Sequence, residues 1–562
     1  MATFKRTLVT SALPYANGRI HIGHLAGAYL PADIFVRYLR MKGEDVVFIC
    51  GSDEHGVPIT LRALEEGSSP HEVIDRFHTE NEAAFQAADV SFDLYGRTSW
   101  PEHRAFTQEF FLKLLDGGHI EKKTIEQYYS EKQGMFLPDR YVEGTCPRCG
   151  YEDARGDQCD HCNATYEVTE LANPRSALPG DGTTPVLKES VHWFLCLDHF
   201  QGDLLTWIES KADWRPNTLG GAMSWLREGL RPRCVTRDTD WGVPIPLDDP
   251  EAKGKCIYVW FDAPIGYVTN TKVWAERQGT PEAWKDYWQD PASRIVHFIG
   301  KDNIPFHTII FPAMMQGQGD YIRPDVVVAN EYLQFKRAGE QAAEKLSKSR
   351  GLVIEVASFV ETFGADRLRY YLTAVAPETS DSEFSWSDFL HRTNGEAADV
   401  LGNFVHRTLS FGTKVFEGRV PKAELLEADR KVLSAIGEAR DEIGRMLDRF
   451  QFRQAQIAMM DLARLGNRYF DEQRPWETRK KDLPRCAACI HVCLQLIHAL
   501  ARLMAPFLPG SAERLAAMLH LEGHATPGSW QRVGEDSLPE GSTFDRPKIL
   551  FPKLEPEDVP AQ

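Results

Sequence analysis

Two short polar segments, 324 residues apart, contain residue types that bind triphosphates. His21 and His24 stand three apart where a helical pattern begins, so both imidazoles can project from one face of a helix start. Backbone N–H groups at a helix start favour anions, and an imidazole can donate to a phosphate oxygen. Lys345 and Lys348 place two ammonium groups among hydroxyl groups. Each pattern also occurs as an ordinary surface feature, so neither segment alone assigns a function.

Four cysteines form two close pairs whose spacing is typical of a zinc site. Cys146 and Cys149 are followed by Cys159 and Cys162 in the arrangement CxxC–x9–CxxC. Four thiolates in two tight turns suit tetrahedral Zn²⁺. Because the thiolates fill all four positions, the ion is predicted to be structural, and redox use of one CxxC pair is the alternative.

The elements that position these residues alternate between strand and helix patterns. Residues 5–11 and 46–50 are predicted strands, with a helix over 22–40 between them, which indicates a doubly wound α/β sheet. Residues 118–235 have a different composition and are predicted to be an insertion. Strand patterns resume at 257–261 and 295–300. No GxGxxG follows the first strand, which disfavours a dinucleotide-dependent dehydrogenase.

From about residue 386 onward, apolar residues recur three and four apart, which predicts a helix bundle. Three further cysteines, at 486, 489 and 493, lie in such a run and are expected to be small core residues. We therefore predict an α/β fold in which a Rossmann-like doubly wound parallel sheet is split by a zinc-binding insertion and followed by an all-α bundle.

The bulk composition indicates a globular protein of several domains. The chain has 562 residues, 43% of them hydrophobic, and a formal net charge of −17. That charge opposes general coating of nucleic acid but permits a nucleic-acid partner on a local basic surface. Polar residues interrupt the apolar run 490–508, so we expect no membrane partner, and with no signal peptide in front of the first strand we expect a cytoplasmic location.

Four further strings, together with the two polar segments, resemble the methionyl-tRNA synthetase family of class I aminoacyl-tRNA synthetases. They are SALPYANG at 11–18, GSDEHG at 51–56, VWFDAPIGY at 259–267 and FIGKD at 298–302. The resemblance implies activation of L-methionine with ATP to methionyl-adenylate, release of pyrophosphate, and transfer of methionine to the 3′ end of tRNA-Met. It also implies Mg²⁺ with the substrate ATP and one structural Zn²⁺ in the four-cysteine knuckle.

The resemblance also implies roles for individual residues. The catalytic residues would be His21, His24, Lys345 and Lys348. ATP would be bound by these four with Gly23, Lys301 and Asp302. Methionine would be bound by Ala12, Leu13, Tyr15, Asp53, Trp260, Ala263, Pro264, Tyr267 and His307, with Asp53 pairing with the α-ammonium group. The anticodon would be read by Asn403, Arg407 and Trp476.

The predicted domains follow this reading. They are the first half of the Rossmann catalytic domain at 1–117, the connective insertion with the zinc knuckle at 118–235, the second half of the catalytic domain at 236–335, the KMSKS-like loop and stem-contact region at 336–385, the helical anticodon-binding domain at 386–545, and a tail that packs back at 546–562.

Three departures from the family pattern stand out. Leu346 occupies a position where the family most often has Met, the polar stretch 336–344 lengthens the loop before Lys345, and Asn303 stands where some members carry an apolar residue. The chain ends soon after Leu554, which predicts a monomer. The alternatives are another class I synthetase (cysteinyl, leucyl, isoleucyl or valyl) and a non-catalytic tRNA-binding relative.

Overall fold

The computed structural model describes residues 4–560 apart from Pro138, Asp157, Asp160, Asn163, Thr165, Pro179, 338–343 and 346–352, and only the backbone of Asp139, Glu344 and Lys345. Its strands are β1 (Arg6–Ser11), β2 (Val46–Ser52), β3 (Leu94–Arg97), β4 (Ile120–Ser130), β5 (Met135–Phe136), β6 (Val142–Thr145), β7 (Ala154–Arg155), β8 (Ala172–Ser176), β9 (Val186–Leu195), β10 (Arg233–Cys234), β11 (Thr236–Arg237), β12 (Val243–Pro244), β13 (Cys256–Ile257), β14 (Ser293–Gly300), β15 (Val326–Asn330), β16 (Leu333–Phe335), β17 (Glu344–Lys345) and β18 (Ser382–Phe384).

Its helices are α1 (Ile22–His24), α2 (Leu30–Lys42), α3 (Val57–Glu66), α4 (Pro70–Ala87), α5 (Pro101–Asp116), α6 (Gln201–Glu209), α7 (Pro216–Glu228), α8 (Val259–Arg277), α9 (Trp284–Trp288), α10 (Phe311–Gln318), α11 (Val356–Phe363), α12 (Ala365–Ala374), α13 (Trp386–Arg392), α14 (Asn403–Phe416), α15 (Glu427–Leu447), α16 (Phe452–Gln473), α17 (Pro475–Lys481), α18 (Leu483–Leu503) and α19 (Pro509–Met518). Wide-turn π-helical segments cover Leu25–Tyr29, Phe306–Ile310 and Thr393–Gly402.

The central sheet has the strand order β15-β14-β1-β2-β3. β1 pairs in parallel with β14, and β2 pairs in parallel with β3. Almost every residue of β1 and β2 is buried, as in parallel sheets covered on both faces. β1 and β14 are neighbours although the insertion separates them in sequence, which confirms the predicted doubly wound parallel sheet split by an insertion.

The insertion is built on a long antiparallel pair. β4 and β9 pair from Ile120↔Leu195 to Tyr129↔Val186. A small sheet of order β7-β6-β8 carries the region of the paired cysteines. Residues 191–195 form the end of β9.

The prediction of a strand over 257–261 was wrong. Only Cys256–Ile257 is extended, and Val259–Arg277 forms helix α8. Most residues of α8 are buried on all sides, so the helix lacks a polar face. A short apolar run such as 257–261 shows no helical periodicity, so its sequence does not distinguish a buried helix from a buried strand.

The chain forms two compact units, each described here by itself. The first comprises Met1–Arg19, Phe48–Ala83 and Phe92–Ala329, and the second comprises Ile20–Val47, Ala84–Ser91 and Asn330–Gln562. Helices α13 to α19 of the second unit form the predicted bundle, which confirms the helical part of the fold class.

A buried ion pair joins distant segments of the second unit. The guanidinium of Arg369 on α12 donates to Oδ2 of Asp33 on α2 at 2.7 Å, and both side chains are fully buried. Arg369 also donates to the carbonyl oxygens of Pro506 and Phe507. Burial opposes ionisation of Asp33, but Arg37 and Arg369 outweigh it and hold the pKa of Asp33 at about 2. Removing either partner would leave an uncompensated buried charge, so the pair is expected to be essential to this unit.

Helix α18 forms the core of the bundle. Cys486, Cys489 and Cys493 are buried on it, as predicted. Among the described residues, α18 is the single helix long and apolar enough to cross a membrane, and 94% of its apolar window is buried, as in the core helix of a globular protein.

Candidate active site

His21 and His24 cap the start of α1 reciprocally. The Nδ1 atom of His21 accepts a hydrogen bond from the backbone N–H of Gly23, and that of His24 accepts one from the backbone N–H of His21, both at 3.2 Å. Their rings stack with centroids 3.7 Å apart, on one face of the helix start as the spacing predicts. Because both Nδ1 atoms are acceptors, each neutral ring carries its proton on Nε2. The Nε2–H group can then donate a hydrogen bond to a phosphate oxygen.

The second polar segment is described only at its first residue. The backbone of Lys345 lies in β17 and pairs in antiparallel fashion with Gln334 of β16. Lys348 and Leu346, like residues 338–343 of the lengthened approach, lie outside the described residues. Lys336, the first residue of the polar stretch 336–344, forms an ion pair, with its Nζ atom 3.0 Å from Oε2 of Glu383.

Three aromatic side chains of the first unit meet in one cluster. The ring of Trp260, in the first turn of α8, stacks on Phe306 with centroids 3.9 Å apart. Tyr15, in the turn after β1, meets Trp260 edge-on at 6.2 Å. Ala263 and Pro264 follow Trp260 on the same helix. The cluster and these two small residues form a surface suited to a slender apolar side chain.

A one-way chain of hydrogen bonds lies behind this surface. The Tyr267 hydroxyl donates to Nε2 of His307 at 2.9 Å. The Nδ1–H of His307 donates in turn to the carbonyl oxygen of Asn303 at 3.0 Å. Burial lowers the pKa of His307 to about 4, so the ring is neutral near pH 7. A Cβ at Gly266 would lie 3.0 Å from Leu13, so glycine is needed for this close approach.

Asp53 is a buried carboxylate with no cationic partner among the described residues. It directly follows β2, is 3% exposed, and accepts the backbone N–H of His55 at 3.4 Å. Burial, and then the charge of Asp262, raise the pKa of Asp53 well above its usual value. Its neighbour Tyr15 links it to the aromatic cluster through a backbone bridge. A ligand cation arriving here would supply the missing charge partner.

A cavity of about 400 Å³ opens beside the aromatic cluster. Lys301 and Asp302, in the turn after β14, line it together with Trp260. Arg237 also lines it, with its guanidinium 3.6 Å from the ring centroid of Tyr258. The cavity therefore combines an apolar wall with cations that suit an anionic ligand.

The four paired cysteines converge in the insertion. Their sulfur atoms all lie within 4.8 Å of one another, with Cys146–Cys162 at 3.8 Å and Cys149–Cys159 at 3.7 Å. Tetrahedral zinc with Zn–S bonds of about 2.3 Å requires sulfur atoms about 3.8 Å apart, so the geometry fits the ion. Gly150, at φ +76°, allows the turn after the first pair.

The predicted anticodon residues lie in one neighbourhood of the second unit. Asn403 and Arg407 are one turn apart on α14, and Trp476, which is 43% exposed, lies on α17. Phe470 of α16 connects them, since its ring lies 4.0 Å from the Arg407 guanidinium and 6.2 Å from the Trp476 ring. Arg407 also donates to Asp471 at 2.5 Å.

Several residues of these sites were missed by sequence reasoning. Phe306 stands next to His307, but its stacking on Trp260 depends on the π-helical turn. Asp262 lies inside the VWFDAPIGY string, yet its partners become visible only in the structure. The missed residues are His55, His103, Arg237, Tyr258, Asp262, His297, Phe306 and Phe470.

Two family models together match nearly the whole chain. The model for class I tRNA synthetases (M) matches residues 7–409. The model for the anticodon binding domain of methionyl tRNA ligase matches residues 420–561.

Curated proteins and solved structures agree with these matches. The chain is 48% identical to a methionine–tRNA ligase of Bacteroides fragilis, covering 100% of this chain and 80% of the relative. It is 47% identical to that of Pyrococcus abyssi, covering 99% and 76%. The structure of Mycobacterium tuberculosis methionyl-tRNA synthetase in complex with methionyl-adenylate superposes with a TM-score of 0.79 at 25% identity, covering 98% of this chain and 100% of that one. The apo form of the same enzyme gives a TM-score of 0.73, covering 99% of each chain.

Proposed function

Because the chain belongs to the methionyl-tRNA synthetase family and is a methionine–tRNA ligase, we propose specific roles for its residues in the two steps of that reaction. The enzyme activates L-methionine with ATP to methionyl-adenylate and transfers methionine to the 3′ end of tRNA-Met. The predicted family and activity are thereby confirmed, and the alternatives of another class I synthetase and of a non-catalytic relative are set aside. The residue roles below are the proposal.

Asp53 binds the α-ammonium group of methionine, and its unpaired burial is the observation that carries the proposal. A carboxylate that is 3% exposed and lacks a cationic partner among the described residues is unfavourable until a cation arrives. The backbone bridge between Asp53 and Tyr15 supports a position of that cation beside the aromatic cluster. One end of the substrate is thus fixed by charge and the other by apolar contact.

The thioether side chain lies against Tyr15 and Trp260, with Ala12, Leu13, Ala263 and Pro264 as smaller walls. A sulfur atom gains ~0.3–1.5 kcal/mol from contact with aromatic rings. Tyr267 and His307 close the pocket, and their hydrogen bonds to each other fix both rings.

In the activation step, the methionine carboxylate attacks the α-phosphorus of ATP in line and expels pyrophosphate. Positioning and charge stabilisation carry this chemistry without a covalent enzyme intermediate. His21 and His24 donate from Nε2 to phosphate oxygens, and Gly23 lets the nucleotide approach closely. Lys345 and Lys348 neutralise the leaving pyrophosphate. Lys301 and Asp302 contact the nucleotide, and Mg²⁺ accompanies ATP as part of the substrate.

The four cysteines of the insertion hold one structural Zn²⁺. The fit of their sulfur separations to tetrahedral coordination supports this assignment. Four protein ligands leave no open position on the ion, so it stabilises the fold of the small knuckle and takes no part in the reaction.

Asn403, Arg407 and Trp476 read the anticodon of tRNA-Met. An exposed tryptophan offers a face for base stacking worth ~1–3 kcal/mol. The guanidinium of Arg407 lies against Phe470 and donates to Asp471, so its plane is held in place. A monomeric state, a cytoplasmic location and the lack of a membrane partner stay predictions.

The role of Asp53 is tested with two methionine analogues. Methioninol keeps the ammonium group and lacks the carboxylate, and 4-(methylthio)butanoate does the reverse. We expect Asp53→Asn to weaken methioninol binding by ~10–100-fold and to leave 4-(methylthio)butanoate binding unchanged, because only the first loses a charge-assisted partner. Asp320→Asn, at an exposed carboxylate, is the matched control. Equal weakening of both analogues would show that Asp53 shapes the pocket without pairing with the ammonium group.

A further inference from the structure

The root of the insertion brings together side chains that the ligase reaction does not use. β4 and β9 end their pairing at Ile120↔Leu195, and the backbone N–H of Cys196 extends the ladder by donating to the carbonyl oxygen of His119 at 2.9 Å. Residues opposite one another on an antiparallel pair place their side chains on the same face. The side chains of His119 and Cys196 therefore lie on the same face of this pair.

The turn that follows adds two more candidate ligands. Cys196 caps the 3₁₀ turn Leu197–Phe200, and the backbone N–H of His199 donates to the Cys196 carbonyl oxygen at 3.2 Å. Side chains three apart in such a turn align, so His199 comes to lie beside Cys196. The ligand atoms of Cys196, Asp198 and His199 all lie within 4.8 Å of one another.

His119 provides an unused donor atom beside this group. Its ring centroid is 5.8 Å from that of His199. Its Nδ1 atom is buried and has no hydrogen-bond partner within the part of the chain that the structure describes. A buried nitrogen atom without a hydrogen-bond partner is uncommon in a folded protein, and a bound ligand would supply the missing partner.

The charges around the thiol favour a cation. Cys196 is 4% exposed, and burial, followed by the carboxylates of Glu121 and Asp198, raises the pKa of its thiol to about 11. Lys123 offsets part of this negative charge through an ion pair with Glu121. Asp198 is exposed, so its carboxylate can turn toward a bound ion.

We propose that Cys196, Asp198, His199 and His119 form a second metal site, which binds one divalent transition-metal ion of the zinc type. A thiolate, two imidazoles and a carboxylate form a tetrahedral set that suits Zn²⁺ and does not suit Mg²⁺ or Ca²⁺, which prefer oxygen ligands. Coordination requires the ligand atoms to close to about 3.3–3.8 Å, which rotation of the exposed Asp198 and His199 side chains can supply. Binding releases the thiol proton to solvent.

This ion would stabilise the insertion where β4 begins and β9 ends, whereas the knuckle zinc would stabilise the region of β6, β7 and β8. His119 directly precedes β4 and Cys196 directly follows β9, so the two residues lie at one end of the long antiparallel pair. A metal that bridges them would fix these two strands to each other, independently of the ligase reaction.

Zinc content of the full-length protein tests the proposal. After loading with excess zinc and desalting, we expect about two zinc ions per chain for the wild type and about one for Cys196→Ser and for His199→Ala. His391→Ala, at an exposed histidine of α13, is the matched control and should retain about two. With cobalt in place of zinc, thiolate-to-cobalt absorption should fall by about a fifth in Cys196→Ser, since one thiolate of five is lost.

The variants separate this site from the knuckle. A wild-type protein with about one zinc ion, which Cys149→Ser removes and Cys196→Ser leaves in place, would overturn the proposal. Retention of about two ions in His199→Ala would also overturn it. His199 is exposed on a turn, so its substitution keeps the test valid if Cys196→Ser fails to fold.

Discussion

The Nδ1 atom of His55 lies 2.6 Å from Oδ2 of Asp262, although the two residues are 207 positions apart. The contact joins the GSDEHG string to the helix that carries Trp260. Burial alone would raise the pKa of Asp262, but His55 and His103 outweigh it and hold the pKa below its usual value. Asp262 thus has two histidines beside it, whereas Asp53, which we propose binds the substrate ammonium group, has no cationic partner among the described residues.

Asp262→Asn should shift the pH dependence of methionine activation. The negative charge of Asp262 contributes, after burial, to the raised pKa of Asp53. Removing that charge lowers the pKa of Asp53, so the acid limb of kcat/KM for methionine should move to lower pH. The asparagine oxygen can still accept from His55, so the fold should be retained. The measurement is amino-acid-dependent pyrophosphate exchange across pH, with Asp320→Asn as control. An unshifted limb would mean that another group sets it.

His24→Asn should separate the capping role of His24 from its phosphate role. Asparagine places an acceptor near the position of Nδ1 and so can keep the bond from the backbone N–H of His21. It lacks the Nε2–H donor, so pyrophosphate exchange should fall by ~10²–10³-fold. His24→Ala should lose activity to the same extent and also lower Tm, because the cap is removed. Near wild-type exchange in His24→Asn would contradict the phosphate contact.

Trp476→Ala should weaken tRNA use without affecting adenylate formation. Loss of one stacked base is worth ~1–3 kcal/mol, which corresponds to a rise in KM for tRNA of ~5–150-fold. Methionine-dependent pyrophosphate exchange should stay at the wild-type rate. Leu483→Ala, a nearby exposed apolar residue, is the control and should change neither quantity. If both steps decline in Trp476→Ala, the tryptophan serves the fold.

Acid should destabilise the protein through its buried histidines. Burial, and then the charge of Arg502, lower the pKa of His498 to about 4, whereas a histidine in the unfolded chain titrates near 6.5. Between these values the unfolded chain binds more protons, so stability present above pH ~6.5 is lost as the pH falls toward ~4. The slope is at most about 1.4 kcal/mol per pH unit for each such group. The fall in Tm with pH should therefore be shallower for His498→Gln than for the wild type or His391→Gln, and parallel profiles would refute the assignment.

Zinc removal should unfold the knuckle while the sheet remains intact. Cys146 and Cys159 are themselves part of the buried cluster around Val142 and Leu171, so loss of the ion should loosen this cluster. Chelation should therefore expose residues 142–176 to protease first. Limited proteolysis with mass spectrometry checks this, and Cys149→Ser should show the same cleavage without chelator. Cleavage spread evenly over the chain would argue against a local role.

The sequence predicted the elements whose signals are local. The strand before the first histidines, the helix start at His21 and His24, and the cysteine pairs all follow from neighbouring residues. The start of helix α8 was wrongly predicted as a strand, because a segment buried on every side shows no helical periodicity of apolar residues.

The partnerships between distant residues could not be predicted in the same way. His55 meets Asp262, and His119 meets Cys196, only because the sheet and the β4–β9 ladder set their register. The stack of Trp260 on Phe306 likewise depends on a π-helical turn for which the sequence carries no clear sign. These contacts are products of tertiary structure, which single-sequence patterns do not encode.

The hydrogen bonds from Tyr267 to His307 and from His307 to Asn303 have a consequence for oxidised substrate. The Tyr267 hydroxyl proton and the Nδ1 proton of His307 are both already donated within the chain. Methionine sulfoxide has nearly the shape of methionine but carries an oxygen that needs a donor. In the proposed pocket that oxygen would meet two donors already in use, at a cost of about 1–3 kcal/mol. We therefore expect methionine sulfoxide to be activated less readily than methionine.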